Sequence, residues 1–138
     1  MKIIKISILL FISTCWMSCS KNGGKETFEF PSIENLNFLS DGLNSLVLGE
    51  PSRVSANIIA PGTIEMLVVK VNNFGYDDYR WEYEKEITDA IGKKEYDLLE
   101  LIEFPEQASS SNHNVEVIVI DKQGQYSSTE KNFYIYEP

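Results

Sequence analysis

Apolar and polar residues alternate along much of this chain, with the period of two that a half-buried strand requires. Val54, Ala56 and Ile58 alternate with Ser55 and Asn57. In the run from Ile64 to Val71, Leu67, Val69 and Val71 share one face, and Met66 and Val68 make the other partly apolar, which predicts a central strand. Tyr79, Trp81 and Tyr83 alternate with Arg80, Glu82 and Glu84, predicting a strand with an aromatic face and a charged face. Near the C-terminus, Val115, Val117 and Val119 alternate with Glu116, Ile118 and Ile120. Asp121-Lys-Gln-Gly124 then predicts a hairpin loop, with glycine where a left-handed residue is needed, before a return strand reaching Asn132-Phe-Tyr-Ile-Tyr136. On that strand Phe133 and Ile135 share one face and Tyr134 and Tyr136 the other; either pair could be the inward one.

Elsewhere the pattern is weaker. Phe28 and Phe30 form the first alternating pair, and Ser32 to Asn44 suits short strands ending at the Asp41-Gly42 turn signal. Ser45 to Leu48 is a short apolar run closed by Gly49-Glu-Pro51. Ala60-Pro61-Gly62 predicts a turn in which proline sets φ and glycine permits a positive one. Asn72-Asn-Phe-Gly75 breaks the central strand. Ile87 to Asp97 has no clear period and holds a loop at Gly92-Lys-Lys94. Leu98, Leu99, Leu101 and Ile102 suit one or two helical turns before Pro105, and Gln107 to Asn114 reads as a serine-rich loop. Short strands at regular spacing, with turns between them and no long helix, predict an all-β fold: an antiparallel, immunoglobulin-like β-sandwich of about seven strands. Leu46 to the C-terminus is about the length such a domain needs, roughly 100 residues. The Cys-Trp-Cys signature of antibody domains is absent, so the match is one of architecture.

The N-terminus carries an address. Lys2 and Lys5 precede the apolar run Ile6-Ser-Ile-Leu-Leu-Phe-Ile12 and then small residues and Cys19, the layout of a secretory signal peptide. The run is too short to span a bilayer as a helix. Ser18-Cys19 looks like the end of a bacterial lipobox, in which the cysteine is lipidated and becomes the new N-terminus. Trp16 departs from the aliphatic residue usual three places earlier; Cys15 is the rival position, and Ser18 together with the polar linker favours Cys19. The plainer alternative is an ordinary signal peptide with two incidental cysteines. The expected organisation is a signal peptide over 1–18, the lipidated Cys19 and a flexible linker over 19–27, and one sandwich domain over 28–138.

Removing residues 1–18 takes away two lysines and no acid, moving the net charge from −9 to −11. A surface of that sign repels phosphate backbones and anionic headgroups, so nucleic acid is excluded as the expected partner and the lipid is the only expected contact with a membrane. No cysteine follows Cys19, so packing and backbone pairing must stabilise the domain without disulfides.

Two stretches carry a resemblance. Val54-Ser-Ala-Asn-Ile-Ile-Ala-Pro-Gly-Thr-Ile64 resembles the early strands of immunoglobulin-like modules in Bacteroidota surface lipoproteins. Val115-Glu-Val-Ile-Val-Ile-Asp-Lys-Gln-Gly124 resembles their closing hairpin, where V-x-V-x-D-x-x-G is common. The resemblance covers roughly Val54 to Ile135 and implies capture, spacer or adhesion roles at the outer membrane surface. It brings no catalytic motif to carry over.

The residues themselves offer little catalytic chemistry. His113 is the only histidine, in a Ser/Asn-rich stretch next to Ser109-Ser-Ser111, and a solvated imidazole is the expected state. No Gly-x-Ser-x-Gly elbow accompanies it. Acidic pairs abound, but 21 acids produce such pairs by chance. Asp77-Asp78 is where calcium would be sought, although no EF-hand spacing occurs; no other cofactor or metal is suggested. The candidate ligand-binding residues are Tyr76, Asp77, Asp78, Tyr79, Arg80 and Trp81. Sugar C–H faces stack on aromatic rings and carboxylates accept bonds from hydroxyls, so this stretch has the chemistry of a carbohydrate platform. The competing reading, which we favour, places Tyr79, Trp81 and Tyr83 in the core, as a buried Trp is in many such sandwiches. The expectation is a monomeric, non-catalytic, lipid-anchored envelope module that binds a glycan or a surface protein.

Overall fold

A computed structural model describes residues 29–38, 45–47, 51–73, 81–105, 108 and 112–136 of the chain. The described strands are β1 (Ser32–Phe38), β2 (Ser45–Val47), β3 (Ser52–Ile59), β4 (Ile64–Asn73), β5 (Tyr83–Glu86), β6 (Glu95–Ile102), β7 (Asn112–Asp121) and β8 (Tyr126–Tyr136). They form a three-stranded sheet, β1-β3-β6, and a five-stranded sheet, β2-β8-β7-β4-β5. Every pair is antiparallel except β2 with β8, which is parallel. With β3, β4, β6, β7 and β8 as strands B, C, E, F and G, this is the two-sheet order of an immunoglobulin-like sandwich. β1 and β2 are consecutive in the chain but belong to different sheets.

The alternation read from the sequence accounts for the core. β3 sends in Val54, Ala56 and Ile58; β4 sends in Leu67, Val69 and Val71; β7 sends in Val115, Val117 and Val119. Phe133 and Ile135 are the inward pair of β8. Most of these residues are β-branched or aromatic, the types that fit a pleated, buried surface. Val68 is buried on the outer face of β4, where Glu86 and Ile118 flank it.

The expected helical turns at Leu98–Ile102 are corrected. These residues belong to β6, which pairs with β3 along its whole length from Ser52↔Ile102 to Ile59↔Glu95. Leu98 and Ile102 point into the core, whereas Leu99 and Leu101 point outward and are 62% and 61% exposed. Leucines on both faces erased the period that would have marked a strand. The aperiodic stretch before it contains a single 3₁₀ turn at Thr88–Ala90, with Ala90 buried. The expected strand over Tyr79–Tyr83 is also corrected among the described residues: β5 begins only at Tyr83.

At one end of the sandwich the two stretches that carry the family resemblance meet. Asp121 is fully buried, and its Oδ1 accepts the backbone N–H groups of Gln123 and Gln125, both at 2.9 Å. Gly124 adopts φ +76, the left-handed conformation expected for it. The Thr63 carbonyl accepts the Lys122 N–H at 2.9 Å. The reason for Gly62 differs from the one expected. The positive φ in this turn falls on Thr63, at +67, and Gly62 is required for space: a Cβ there would lie 2.5 Å from Asp121 Oδ2.

Candidate functional site

The structure divides the aromatic stretch. Tyr76, Asp77, Asp78, Tyr79 and Arg80 lie outside the described residues, as do Cys19 and the signal segment. Trp81 is described and is half-buried. Its ring lies 4.8 Å from that of Phe104 and 6.3 Å from that of Tyr83, packed against the core. The register Val71↔Tyr83 sets the Tyr83 side chain on the interior face of the sheet. Trp81 therefore joins an aromatic cluster at the sandwich edge with Phe38, Phe104, Phe133 and His113.

The expectation of a solvated imidazole at His113 is corrected. It is fully buried, not solvated. β7 begins at Asn112, so period-two alternation puts His113 in the inward row with Val115 and Val117. Its ring stacks on Phe133 at 5.4 Å and meets Phe104 edge-on at 6.5 Å. Ser109, Ser110 and Ser111, the neighbours that a nucleophilic role would need, lie outside the described residues.

Tyr83 has a second job. Its hydroxyl donates to Glu100 Oε1 at 2.8 Å, and Lys85 Nζ reaches the same oxygen at 2.7 Å. This clasp joins β5, at the edge of one sheet, to β6, at the edge of the other. Desolvation raises the Tyr83 phenol above the ordinary tyrosine value, and the hydrogen bond and negative charge of Glu100 push it the same way. The folded state thus holds the neutral phenol more strongly than the unfolded chain does. The resulting stability is fully present below pH 10.0, the unperturbed value, and is lost as the pH climbs through the raised one. In an alkaline titration of tyrosinate absorbance, Tyr83→Phe should remove the last component of the rise. An unchanged final component in the variant would mean that another tyrosine produces it.

The outer face of the five-stranded sheet carries an arrangement that sequence reasoning missed. Asn72 Nδ2 donates to Asn114 Oδ1 at 3.1 Å, and Asn114 Nδ2 donates to Glu130 Oε2 at 2.7 Å. The three residues come from β4, β7 and β8, so the bonds run across the strands as a polar ladder. Asn114 is 3% exposed, held by both neighbours. The pairing Glu116↔Glu130 sets two acids opposite each other, which is unfavourable on its own, and the Asn114 amide donates into that negative charge. Beside the ladder, Asn112, His113, Glu130 and Asn132 line an open cavity of about 480 Å³.

Such a wall offers amide donors, amide acceptors and a carboxylate. The buried Asn114 amide holds the ladder together, Asn72 keeps one N–H beyond it, and the exposed amides of Asn112 and Asn132 line the cavity. Donors and acceptors on adjacent strands are spaced by about 4.8 Å, which suits a ligand with several hydroxyls rather than a single charge. No local motif announces the ladder, because its members are 42 and 16 residues apart and meet only through strand register.

Solved structures share this fold. Wild-type OgpA from Akkermansia muciniphila matches with a TM-score of 0.54 and 16% identity, covering 77% of this chain and 28% of OgpA. A second crystal form gives 0.53 and 18%, covering 75% and 27%. Catalytically inactive OgpA in complex with an O-glycopeptide substrate, glycodrosocin, gives 0.52 and 19%, covering 77% and 29%. The chain therefore corresponds to under a third of OgpA. No curated protein matches it by sequence. The DUF4625 profile spans residues 17–136, and the chain accordingly belongs to that family, described as a domain of unknown function.

Proposed function

We propose that this chain is a non-catalytic binding module of the cell envelope, anchored by lipid on Cys19, with a glycan as its ligand. The observation that carries the reading is the amide ladder Asn72–Asn114–Glu130 and the adjoining cavity with Asn112 and Asn132. Hydrogen-bonding groups fixed before binding lower the entropic cost of capturing a hydroxyl-rich ligand. The signal layout, the acidic surface and the Ser18-Cys19 lipobox support an exported, surface-exposed, monomeric protein. OgpA was crystallised with an O-glycopeptide, which selects the first ligand to try. A protein-binding adhesion or spacer role is the second reading; the exposed Leu99 and Leu101 on β6 favour it.

The test combines titration with glycodrosocin and affinity electrophoresis through gels containing soluble polysaccharides. Binding should weaken about tenfold in Asn112→Ala or Asn132→Ala, the loss of about one hydrogen bond. Both side chains are exposed, so folding should survive the changes. A wild-type chain that ignores every sugar would remove the glycan and leave the protein-binding role.

A further inference from the structure

The opposite face of the sandwich holds a second ladder, built by a distortion. β1 and β3 pair in register from Ser32↔Ile59 to Glu34↔Asn57, then resume one residue out of step at Asn37↔Ser55. Asn35 and Leu36 together occupy the place facing Ala56, which makes a β-bulge. Leu36 takes the core side. Asn35 takes φ +55, and its amide turns outward. Its Nδ2 donates to Asn57 Oδ1 at 3.0 Å, and Asn57 Nδ2 donates to Asp97 Oδ1 at 2.7 Å. The bonds cross all three strands, β1, β3 and β6.

The bulge has one structural use that needs no ligand: it brings Phe38 inward, to 4.4 Å from the Phe133 ring. That use asks only for a residue tolerant of positive φ, and glycine would serve better than asparagine. The amide is an addition to the backbone requirement. Around it, Asn35, Asn37, Ser55, Asn57, Asp97 and Leu99 line an open groove of about 380 Å³, within the usual range for ligand sites of about 300–1,000 Å³. Backbone distortion that aims a polar side chain into a groove is characteristic of binding positions.

From this geometry we infer that the outer face of the three-stranded sheet is a second binding site, for a neutral, hydroxyl-rich glycan. The chemistry selects the class. Asn35 and Asn57 each keep one N–H beyond the ladder, and Asp97 keeps a second carboxylate oxygen, so adjacent hydroxyls find both donors and an acceptor. Asp97, Glu34 and Glu95 outnumber Arg53 on this face and oppose an anionic ligand. Leu99, beside Asn37 and Ser55, offers apolar surface to a sugar's C–H face. The inference rests on the glycan reading proposed above but concerns different residues. A module with a site on each sheet would bind two chains, or two stretches of one, and gain avidity.

The test follows side-chain amide and backbone resonances of the full chain by NMR during titration with cellohexaose, laminarihexaose, mannohexaose and xylohexaose. The expected result is that the Asn35 and Asn57 amides shift with at least one oligosaccharide. Asn35→Gly, which preserves the backbone and removes the amide, and Asp97→Asn, which preserves shape and removes the charge, should each weaken that response about tenfold. Backbone spectra superimposable on the wild type would verify that both variants fold. Shifts confined to Asn112, Asn114 and Asn132 would overturn this inference and leave the first site standing. Shifts at Asn57 that persist undiminished in both variants would also overturn it. No shift at either face would overturn this inference, and together with no response to glycodrosocin would overturn the first proposal as well.

Discussion

Replacing Phe104 with alanine should lower the unfolding free energy by about 4 kcal/mol, within the range for emptying a buried aromatic site. Phe104 lies two residues beyond β6 and is 7% exposed. Its ring approaches those of Trp81 at 4.8 Å, Phe133 at 5.9 Å, Phe38 at 6.3 Å and His113 at 6.5 Å. Several of these contacts are tilted or edge-to-face, the arrangements aromatic quadrupoles favour. These partners come from β1, β7, β8 and the segment before β5, so no single element can close the gap that alanine would leave. A domain of this kind has a total stability of about 5–15 kcal/mol, so the loss would be a large share of it. Urea unfolding followed by far-UV circular dichroism measures the change. A loss below about 1 kcal/mol would show that the cluster collapses around the cavity and that Phe104 does not hold this end together.

The second large effect should come from the smallest side chain. Gly62→Ala places a Cβ 2.5 Å from Asp121 Oδ2, 2.8 Å from Asp121 Cγ and 2.9 Å from Gln123 Cγ. The Gln123 side chain can swing away. Asp121 cannot, because its other oxygen holds two backbone N–H groups of the turn and its side chain is fully buried. Either the turn over Ala60–Thr63 lifts off or the aspartate abandons its bonds. The expected loss is about 3 kcal/mol, at the upper end for overpacking. Gly124→Ala is the control: open space surrounds that position, and only the φ of +76 opposes a side chain, at a cost of about 1 kcal/mol. A thermal melt in which the two variants shift equally would refute the steric argument.

Both effects bear on what was legible beforehand. β3 follows strict alternation, with one face on the core and a largely polar face outward, whereas β4 and β7 carry Met66, Val68, Ile118 and Ile120 on their outer faces and are legible from their β-branched runs between turn signals. β6 has a helix-like pattern in the sequence because Leu99 and Leu101 face solvent, which defeats the hydrophobic-in, polar-out rule. His113 looks solvated in the sequence because serines and asparagines precede it, while its inward position comes from β7 and the pairing Asn73↔His113. The need for Gly62 is visible in its turn sequence but the cause is not, since the atom that forbids a Cβ belongs to a residue far along the chain. The same holds for both ladders. Asparagines scattered through loops and strands look interchangeable until strand register sets Asn57 beside Asp97 and Asn72 beside Asn114. Trp81, the residue most readily singled out by its chemistry, is half-buried and packs against the core.

The parallel pairing of β2 with β8 has a mechanical side. The first strand of the five-stranded sheet and the last strand of the chain run side by side in the same direction, in the register Ser45↔Tyr134, Leu46↔Ile135 and Val47↔Tyr136. Tension applied at the N-terminal end of β2 and the C-terminal end of β8 would pull these two strands past each other along their length. The load would fall on all their hydrogen bonds together, in shear, rather than opening them one at a time like a zip. For a domain loaded along these two strands, that is the orientation in which a β-pairing resists force best.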